Sequence, residues 1–532
     1  MSIPASCDVI VVGSGNAGFS AAVSAAQSGA RRVVLVDKCP EDWVGGNSYF
    51  TAGAYRTVHQ GLEDLLPLVN NVSWSQAEKI ELKPYTADDF HNDLKNVCAG
   101  RPDPDLASTL VSDSNETIKW LAGNGIRFQL SFNRQAYEVD GKIKFWGGLS
   151  LKTQDGGKGL IADHLAAARR HSVQVIWSTA LVGIVPPANP NGDVIVTLRR
   201  DGVDSKVSAR GVVFAAGGFE SNAQMRSQFL GPGWDMAMVR GTPYNTGECF
   251  DMAIKSLDAK PVGNWSGCHA TAWDANANPH IGDRAASNEY TKSGYPLGLM
   301  INTEGKRFVD EGIDLRNYTY AKFGRAILSQ PDQTAFQVWD AQVSPWLRPE
   351  EYREERVERI TADSLEELAD KCQARGLHDR ETFVSTIREY NDAVYAHRRE
   401  NSSRGLRWDP AVKDGLSTQS SSKRLALPKT NWALALDQGP YLAVKVSCGI
   451  TFTFGGLKVD HQTAQLIGAT TGRPIPGVYC VGEMLGGLFY QNYPGGSGLT
   501  SGAVFGRRAG RAAAQRATSH QEQDLTGTLS KL

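Results

Sequence analysis

At 532 residues the chain is longer than one hydrophobic core usually supports, so at least two domains are expected. With 41% hydrophobic and 21% charged residues and a formal net charge of -1, it lacks the global field that would point to nucleic acid or an anionic membrane, and a small molecule is the expected partner. No apolar run approaches the roughly 18–20 residues of a spanning helix, so a soluble protein is expected.

Residues 1–7 are too short for a secretory leader. Residues 8–37 then read strand, turn, helix, strand. An apolar run through Val12 meets Gly13, Ser14, Gly15, Asn16, Ala17 and Gly18, an Ala-rich helix runs to Gln27, and Val33, Val34, Leu35 and Val36 lead into Asp37. In a turn of this kind Gly13 makes the bend, Gly15 lets a pyrophosphate approach the backbone, and Gly18 packs helix on strand. The helix N-terminus favours phosphate, and Asp37, about 20 residues on, is placed to accept from a ribose diol. This segment predicts a dinucleotide site. The eight cysteines, Cys7, Cys39, Cys98, Cys249, Cys268, Cys372, Cys448 and Cys480, show no C-x-x-C pair or metal-ligand spacing. Neither a disulfide framework nor an iron–sulfur site is expected, and a reducing compartment fits.

Further along, Gly45, Gly46, Asn47 and Ser48, followed by Ala52 and Gly53, form a small-residue loop that can pass close to a flat ring such as a flavin. Residues 173–185 read as two short strands around Thr179, Ala180 and Leu181. A buried strand from Gly211 runs into Ala215, Ala216, Gly217 and Gly218. Residues 363–375 and 380–397 carry charged amphipathic helix patterns and read as solvated packing helices. Near the end, an apolar strand from Gly477 closes on Gly482 and Glu483, and the glycine run 495–502 opens a helix to about Gln515. Bare N–H groups at such a helix start can stabilise a reduced, anionic flavin ring.

These motifs, in this order, carry a resemblance. With Asn245, Thr246, Gly247 and Glu248, and with Gly305, Lys306, Arg307, Phe308 and Glu311, they resemble the FAD-binding flavoproteins of the fumarate reductase and succinate dehydrogenase type over nearly the whole chain. The resemblance implies an α/β fold: a Rossmann-type (glutathione-reductase-like) FAD domain over 1–264 and 451–532, with an inserted α+β capping domain over 265–450. It implies FAD bound by Gly13, Gly15, Asn16, Ala17, Gly18, Asp37, Lys38, Gly45, Gly46, Asn47, Ser48, Ala52, Gly53, Ala180, Leu181, Ala216, Gly217, Glu483, Gly498, Leu499 and Thr500. Covalent members use a histidine in the loop after the double glycine. Here Asn47, Ser48, Tyr49 and Phe50 stand there, so non-covalent FAD is expected.

The same resemblance makes Arg316 the proton-transferring arginine; an ordinary arginine is a poor base, so it would need desolvation or a neighbouring charge to serve. Arg307 and Glu311 read as a structural pair. Two departures follow. Phe452 replaces a substrate histidine before Thr453, and Tyr493 replaces a carboxylate-clamping arginine before Gly496 and Ser497. The acid–arginine relay of the family is not recognisable in 291–298, so fumarate and succinate are disfavoured. The segments around Tyr493 and Phe452 are similar to those of tricarballylate dehydrogenases, and the Tyr-Pro-Gly run is also similar to that of 3-ketosteroid dehydrogenases. Both groups place a double bond next to a carbonyl or carboxyl. A phenol at Tyr493 can polarise that oxygen, and His269 stands where the family has another substrate histidine. Phe452, Thr453, Gly496 and Ser497 are the expected substrate contacts.

The reading that results is an FAD-dependent dehydrogenase acting on a CH–CH bond beside a carboxyl group. A tricarballylate-like polycarboxylate is favoured, because Arg316 can pair with a carboxylate. The alternatives are desaturation of a cyclic ketone, an oxidase using dioxygen, and a flavin-binding module without turnover, which would leave Arg316 and Tyr493 without a reason to sit at family positions. The electron acceptor is left open among dioxygen, a quinone and a separate protein. Ser530, Lys531 and Leu532 match the tripeptide read by the peroxisomal import receptor, so a peroxisome is expected, with the cytoplasm as the alternative.

Overall fold

The computed structural model describes residues 2–139, 141–145, 148–409 and 412–529. The tripeptide 530–532 therefore lies outside the described residues. The chain forms two compact units, one of Met1–Leu230, Gly241–Cys268 and Phe452–Leu532, the other of Gly231–Arg240 and His269–Thr451. The short segment Gly231–Arg240 thus groups with the second unit, although in sequence it lies inside the stretch expected to form the FAD domain.

In the first unit the short apolar runs lie buried side by side, as all-parallel strands covered on both faces must. Ser6–Val12 is flanked by Val33–Val36 and Val203–Phe214, all parallel, with Val12 opposite both Val36 and Phe214. Gln174–Ile176 extends one side and Pro474–Cys480 the other, again in parallel. The first half of Val203–Phe214 pairs antiparallel with Val194–Arg200, which pairs with Thr179–Val185. Gln174–Ile176 and Thr179–Val185, adjacent in sequence, therefore end at opposite edges of the eight-stranded sheet.

The helix Asn16–Gln27 packs on the C-terminal helix Ser497–Leu529 through small residues. A Cβ added at Gly506 would stand 2.6 Å from the Ala17 carbonyl oxygen, and one at Gly510 would stand 2.1 Å from that of Ala21. The C-terminal helix begins at Ser497 because Gly496 has φ +84°. It runs well past Gln515 because no glycine or proline interrupts it between Gly510 and Gly527.

The second unit is α+β. The part of strand Tyr441–Leu457 that lies in this unit, up to Thr451, pairs antiparallel with Ala335–Trp339 and Ile360–Ala362, and in parallel with Met238–Val239; Leu299–Asn302 lies beyond Ala335–Trp339. The helices Leu365–Gln373 and Arg380–Glu400 bury Leu368, Phe383, Ile387 and Tyr390 with Phe336 and Val338. Ser364 and Asp379 cap them by accepting backbone N–H bonds at 3.2 and 2.9 Å. Among the described residues no helix is long and apolar enough to cross a membrane, no His/Cys/Asp/Glu group is arranged to hold a metal, and the eight cysteines are buried with none in a disulfide.

Candidate functional site

The glycine turn after the first strand divides its labour residue by residue. Gly13 has φ +111°, and a Cβ there would fall 2.3 Å from the Ala215 carbonyl oxygen; a Cβ at Gly18 would fall 1.9 Å from that of Gly13. Both positions are closed by the protein itself. Gly15 is different. Its φ of -75° suits any residue, and a Cβ there would meet only Ser48 Oγ at 3.5 Å and the Gly45 carbonyl at 3.8 Å. Nothing in the polypeptide demands glycine at this position, and it opens a helix whose first N–H groups have no partner within the helix, the Asn16 N–H donating instead to Ser48 Oγ at 3.1 Å.

Asp37 accepts both the backbone N–H and the hydroxyl of Ser14 at 2.7 Å, and the Cys39 N–H at 3.0 Å. A carboxylate has about four acceptor sites, so capacity is left for a hydroxyl donor. Ser14 Oγ also accepts the Gly45 N–H at 3.2 Å, which joins the first turn to the second glycine loop, a link between residues 31 apart that no local pattern signals. Lys38 donates to Thr246 at 2.7 Å and pairs with Glu248. Asn16 turns inward: its side chain donates to the Leu499 carbonyl at 2.8 Å and accepts from Tyr55 at 2.7 Å and from His164 at 3.0 Å. Gly45 and Gly53, with φ +107° and +71°, are closed by Ile161 and by Thr153, whereas Gly46 faces open space.

A polar cluster lies deeper in the same unit. Glu483 Oε1 accepts the backbone N–H of Thr453 at 2.6 Å and its hydroxyl at 2.9 Å. Thr453, expected at the substrate, thus gives both donors to Glu483. Asn47 donates to Glu220 at 3.0 Å and accepts the Thr242 N–H at 2.9 Å. Gly217 and Gly218 are small because side chains stand against them: added Cβ atoms would meet Asn245 at 2.5 Å and Glu483 at 2.1 Å.

Tyr493 belongs to an aromatic group. Its ring lies 5.4 Å from Phe452 and 5.6 Å from Phe489, both edge-on, and Phe452 stands edge-on to Phe454 at 5.1 Å. Phe454 and Phe489 are buried, while Phe452 and Tyr493 keep part of their surface exposed. Gly498 lies against both outer rings, 3.3 Å from Phe452 and 3.6 Å from Tyr493 at its Cβ position. The turn behind Tyr493 is held by Arg56, which is 1% exposed. Arg56 donates to the Gly495 carbonyl at 2.9 Å, to Tyr85 at 2.7 Å and to Asp93 at 2.5 Å. Thr500 donates to the Arg56 carbonyl at 2.7 Å, and Ser497 donates to the Pro494 carbonyl at 2.5 Å. Ser497 therefore braces its own turn.

In the second unit Arg316 opens a short turn, Arg316–Tyr318, and its Nη1 reaches Ser293 Oγ at 3.5 Å, at the long limit of a hydrogen bond. Ser293 donates its N–H and hydroxyl to Glu351 Oε2 at 3.0 and 2.5 Å, and Glu351 Oε1 accepts from Arg348 at 3.2 Å. An acid joined to two arginines is thus present, but it arrives from residue 351, outside 291–298. His269 is 6% exposed, and burial, with the Arg240 charge second, lowers its pKa to about 3, so it is neutral. Arg307 and Glu311 form a buried ion pair at 2.5 Å, with the Arg307 pKa raised despite burial by the Glu311 charge.

The family described as FAD binding domain matches residues 8–499. The chain belongs to this family. It is a flavoprotein oxidoreductase of the fumarate reductase and succinate dehydrogenase type. It is 27% identical to "Fumarate reductase (cytochrome)" of Shewanella frigidimarina, an alignment that covers 96% of this chain and 77% of that protein. It is 24% identical to "4-oxocyclohex-2-ene-1-carboxylate 5-dehydrogenase" of Sinomonas cyclohexanicum, across 97% of this chain and 95% of that one. The 3-ketosteroid delta1-dehydrogenase of Sterolibacterium denitrificans shares the fold, with a TM-score of 0.70 at 20% identity, covering 96% and 100% of the two chains.

FAD fits the first unit of this flavoprotein on its own geometry. The open Cβ direction of Gly15 at a helix N-terminus suits a pyrophosphate, and Asp37 keeps acceptor capacity for a ribose hydroxyl. Gly46 leaves open space on the second loop, and the start of Ser497–Leu529 presents a further helix N-terminus.

Proposed function

We propose that this flavoprotein adds or removes hydrogen across a carbon–carbon bond next to a carbonyl, and that its substrate is a compact ring ketone carrying a carboxylate. The observation behind this is the setting of Tyr493: a phenol and a partly exposed Phe452 stand where the family resemblance expects an arginine and a histidine, above a buried aromatic layer. Such a surface suits a ring and one polarised oxygen better than several carboxylates. The similarity to a dehydrogenase named for an oxocyclohexene carboxylate supports the same choice. A tricarballylate-like polycarboxylate is the second reading, favoured by two part-buried arginines of the second unit, Arg240 and Arg316.

FAD, when bound, supplies the hydride acceptor. Tyr493 is assigned to donate to the carbonyl oxygen, which acidifies the adjacent C–H. Arg316 is assigned the proton from that carbon, after passing a proton of its own to Ser293 as the Ser293 hydroxyl gives its proton to the Glu351 carboxylate. His269, neutral, is assigned a hydrogen bond to substrate. Anaerobic mixing with cyclic keto acids and with tricarballylate, followed by the flavin absorbance, tests the choice. Bleaching by the ring compounds alone supports it, bleaching by tricarballylate alone transfers support to the second reading, and bleaching by neither refutes both.

Non-covalent FAD is proposed because the Gly46–Phe50 turn holds no histidine; acid precipitation that leaves flavin on the chain would refute it. The electron acceptor is proposed to be dioxygen, in a peroxisome addressed by Ser530, Lys531 and Leu532. Slow reoxidation of substrate-reduced enzyme in air counts against the first part, and diffuse fluorescence of a fusion that keeps Leu532 as its free end counts against the second.

A further inference from the structure

Asn47, Glu220, Asn245, Thr453 and Glu483 come from five separate stretches of the first unit and meet around one pair of carboxyl groups. The side-chain carboxyl groups of Glu220 and Glu483 stand within hydrogen-bond reach of each other. Glu220 is 0% exposed, whereas Glu483 keeps part of its surface accessible, so Glu220 is sealed behind it. Two ionised carboxylates have no donor between them and repel; a bond between them requires a proton on one.

The surroundings decide which one holds it. Glu483 receives the N–H and hydroxyl of Thr453 and the backbone N–H of Gly218, three donors that stabilise an anion. Glu220 receives amide donors from Asn47 and Asn245. The nearby Arg226 guanidinium donates to the Glu220 backbone carbonyl. Among the described residues no donor reaches Glu220 Oε2, a fully buried atom that would be an orphan acceptor if ionised and becomes a donor when protonated. Burial, with the Glu483 charge second, pushes the Glu220 carboxyl well above the usual carboxylate range; burial also raises Glu483.

We infer that Glu220 is a positioning residue that stays protonated and donates to Glu483, so that the pair bears one negative charge, located on Glu483 in the FAD-binding unit. The inference rests on membership of the FAD-binding family and not on the substrate reading. Its reach is the cofactor: Glu483 is the charged group, and Glu220 fixes its orientation without adding a second charge.

The test uses purified holoprotein and the flavin midpoint potential together with FAD affinity. Glu220→Gln keeps a neutral donor, so its potential should match the wild type. Glu483→Gln removes a negative charge and should shift the potential positive, because the electron-rich reduced flavin is then less disfavoured. Glu220→Ala should weaken FAD binding about tenfold to a hundredfold through loss of a charge-assisted bond, and Glu220→Gln should restore it. A positive shift in Glu220→Gln comparable to that of Glu483→Gln would show that Glu220 is ionised and overturn the inference. Should Glu220→Gln fail to take up FAD, infrared spectra of wild-type holoprotein labelled with carbon-13 glutamate decide instead. The other glutamates sealed as deeply, Glu311 and Glu351, are paired with arginines. A protonated glutamate carbonyl band persisting from about pH 6 to about 9 supports the inference, since an ordinary carboxyl would be ionised throughout, and its absence overturns it.

Discussion

Replacing Gly15 with alanine separates the cofactor's demand for glycine from the protein's. The backbone at Gly15, φ -75° and ψ 177°, is open to alanine, and the nearest protein atom to the new Cβ would be Ser48 Oγ at 3.5 Å, an ordinary contact. Less freedom in the unfolded chain stabilises the variant by ~0.4–1 kcal/mol. Alanine is a poorer N-cap than glycine, which costs a similar ~0.5–1 kcal/mol. The two nearly cancel, so flavin-stripped Gly15→Ala should unfold in urea within about 1 kcal/mol of stripped wild type. The same methyl stands where the pyrophosphate must approach. Overpacking there costs ~1–3 kcal/mol, a loss of about 5- to 150-fold in FAD affinity. Flavin fluorescence titration measures the affinity. Gly18→Ala is the contrast: its Cβ would lie 1.9 Å from the Gly13 carbonyl, so it should destabilise the stripped protein as well. Wild-type FAD affinity in Gly15→Ala, or a stripped protein weakened as much as Gly18→Ala, would refute the assignment of this turn.

Arg316→Lys should retain FAD yet lose about a hundredfold or more in kcat, since lysine lacks the planar fork; Glu351→Gln, which cannot take a proton, should lower kcat in the same direction. Near-normal turnover in either would remove that residue from the proton path. Tyr493→Phe should lower kcat by roughly 10²–10³ with little change in KM, as expected for a bond that strengthens in the transition state; a change confined to KM contradicts the role. Arg56→Met leaves Asp93 and the Gly495 carbonyl without their buried cation and should lower stability by ~3 kcal/mol, read as earlier thermal unfolding; unchanged unfolding would show that Arg56 does not hold the turn. His164, whose pKa burial lowers to about 3 from 6.5, takes up a proton on unfolding at any pH between those values. Its contribution is therefore complete above about pH 6.5 and lost on acidification, by up to ~1.4 kcal/mol per pH unit. Because Glu220 titrates in the opposite sense, the clean readout is a difference: His164→Gln should gain on wild type as pH falls from about 6 to about 4, and a constant gap would contradict a buried neutral histidine.

What the sequence revealed and what it hid divide by the distance over which a residue finds its partner. The turn Gly13, Gly15 and Gly18 is legible because its three demands fall within one local stretch, with Asp37 at the end of the next strand. Arg307 and Glu311 are legible for the same reason, as an i,i+4 pair. Arg56 is invisible from its neighbours, since it acts on Gly495 from 439 residues away. Glu220 lies two residues after a recognised glycine motif and still goes unread, because its donor Asn47 is 173 residues away and its meaning depends on Glu483.

The same rule explains why Thr453 and Ser497 read as substrate contacts. Sequence gives them a hydroxyl near a motif, whereas packing gives those hydroxyls to Glu483 and to the Pro494 carbonyl. Ser293 and Glu351 show the converse, an acid-to-arginine link whose parts are 58 residues apart. Residues 291–298 hold Ser293 and no acid. Chemistry that depends on which charge faces which is set by the tertiary fold, so substitutions at Glu220 in the first unit and at Glu351 in the second each test the role assigned there more sharply than further substitutions in the glycine motifs.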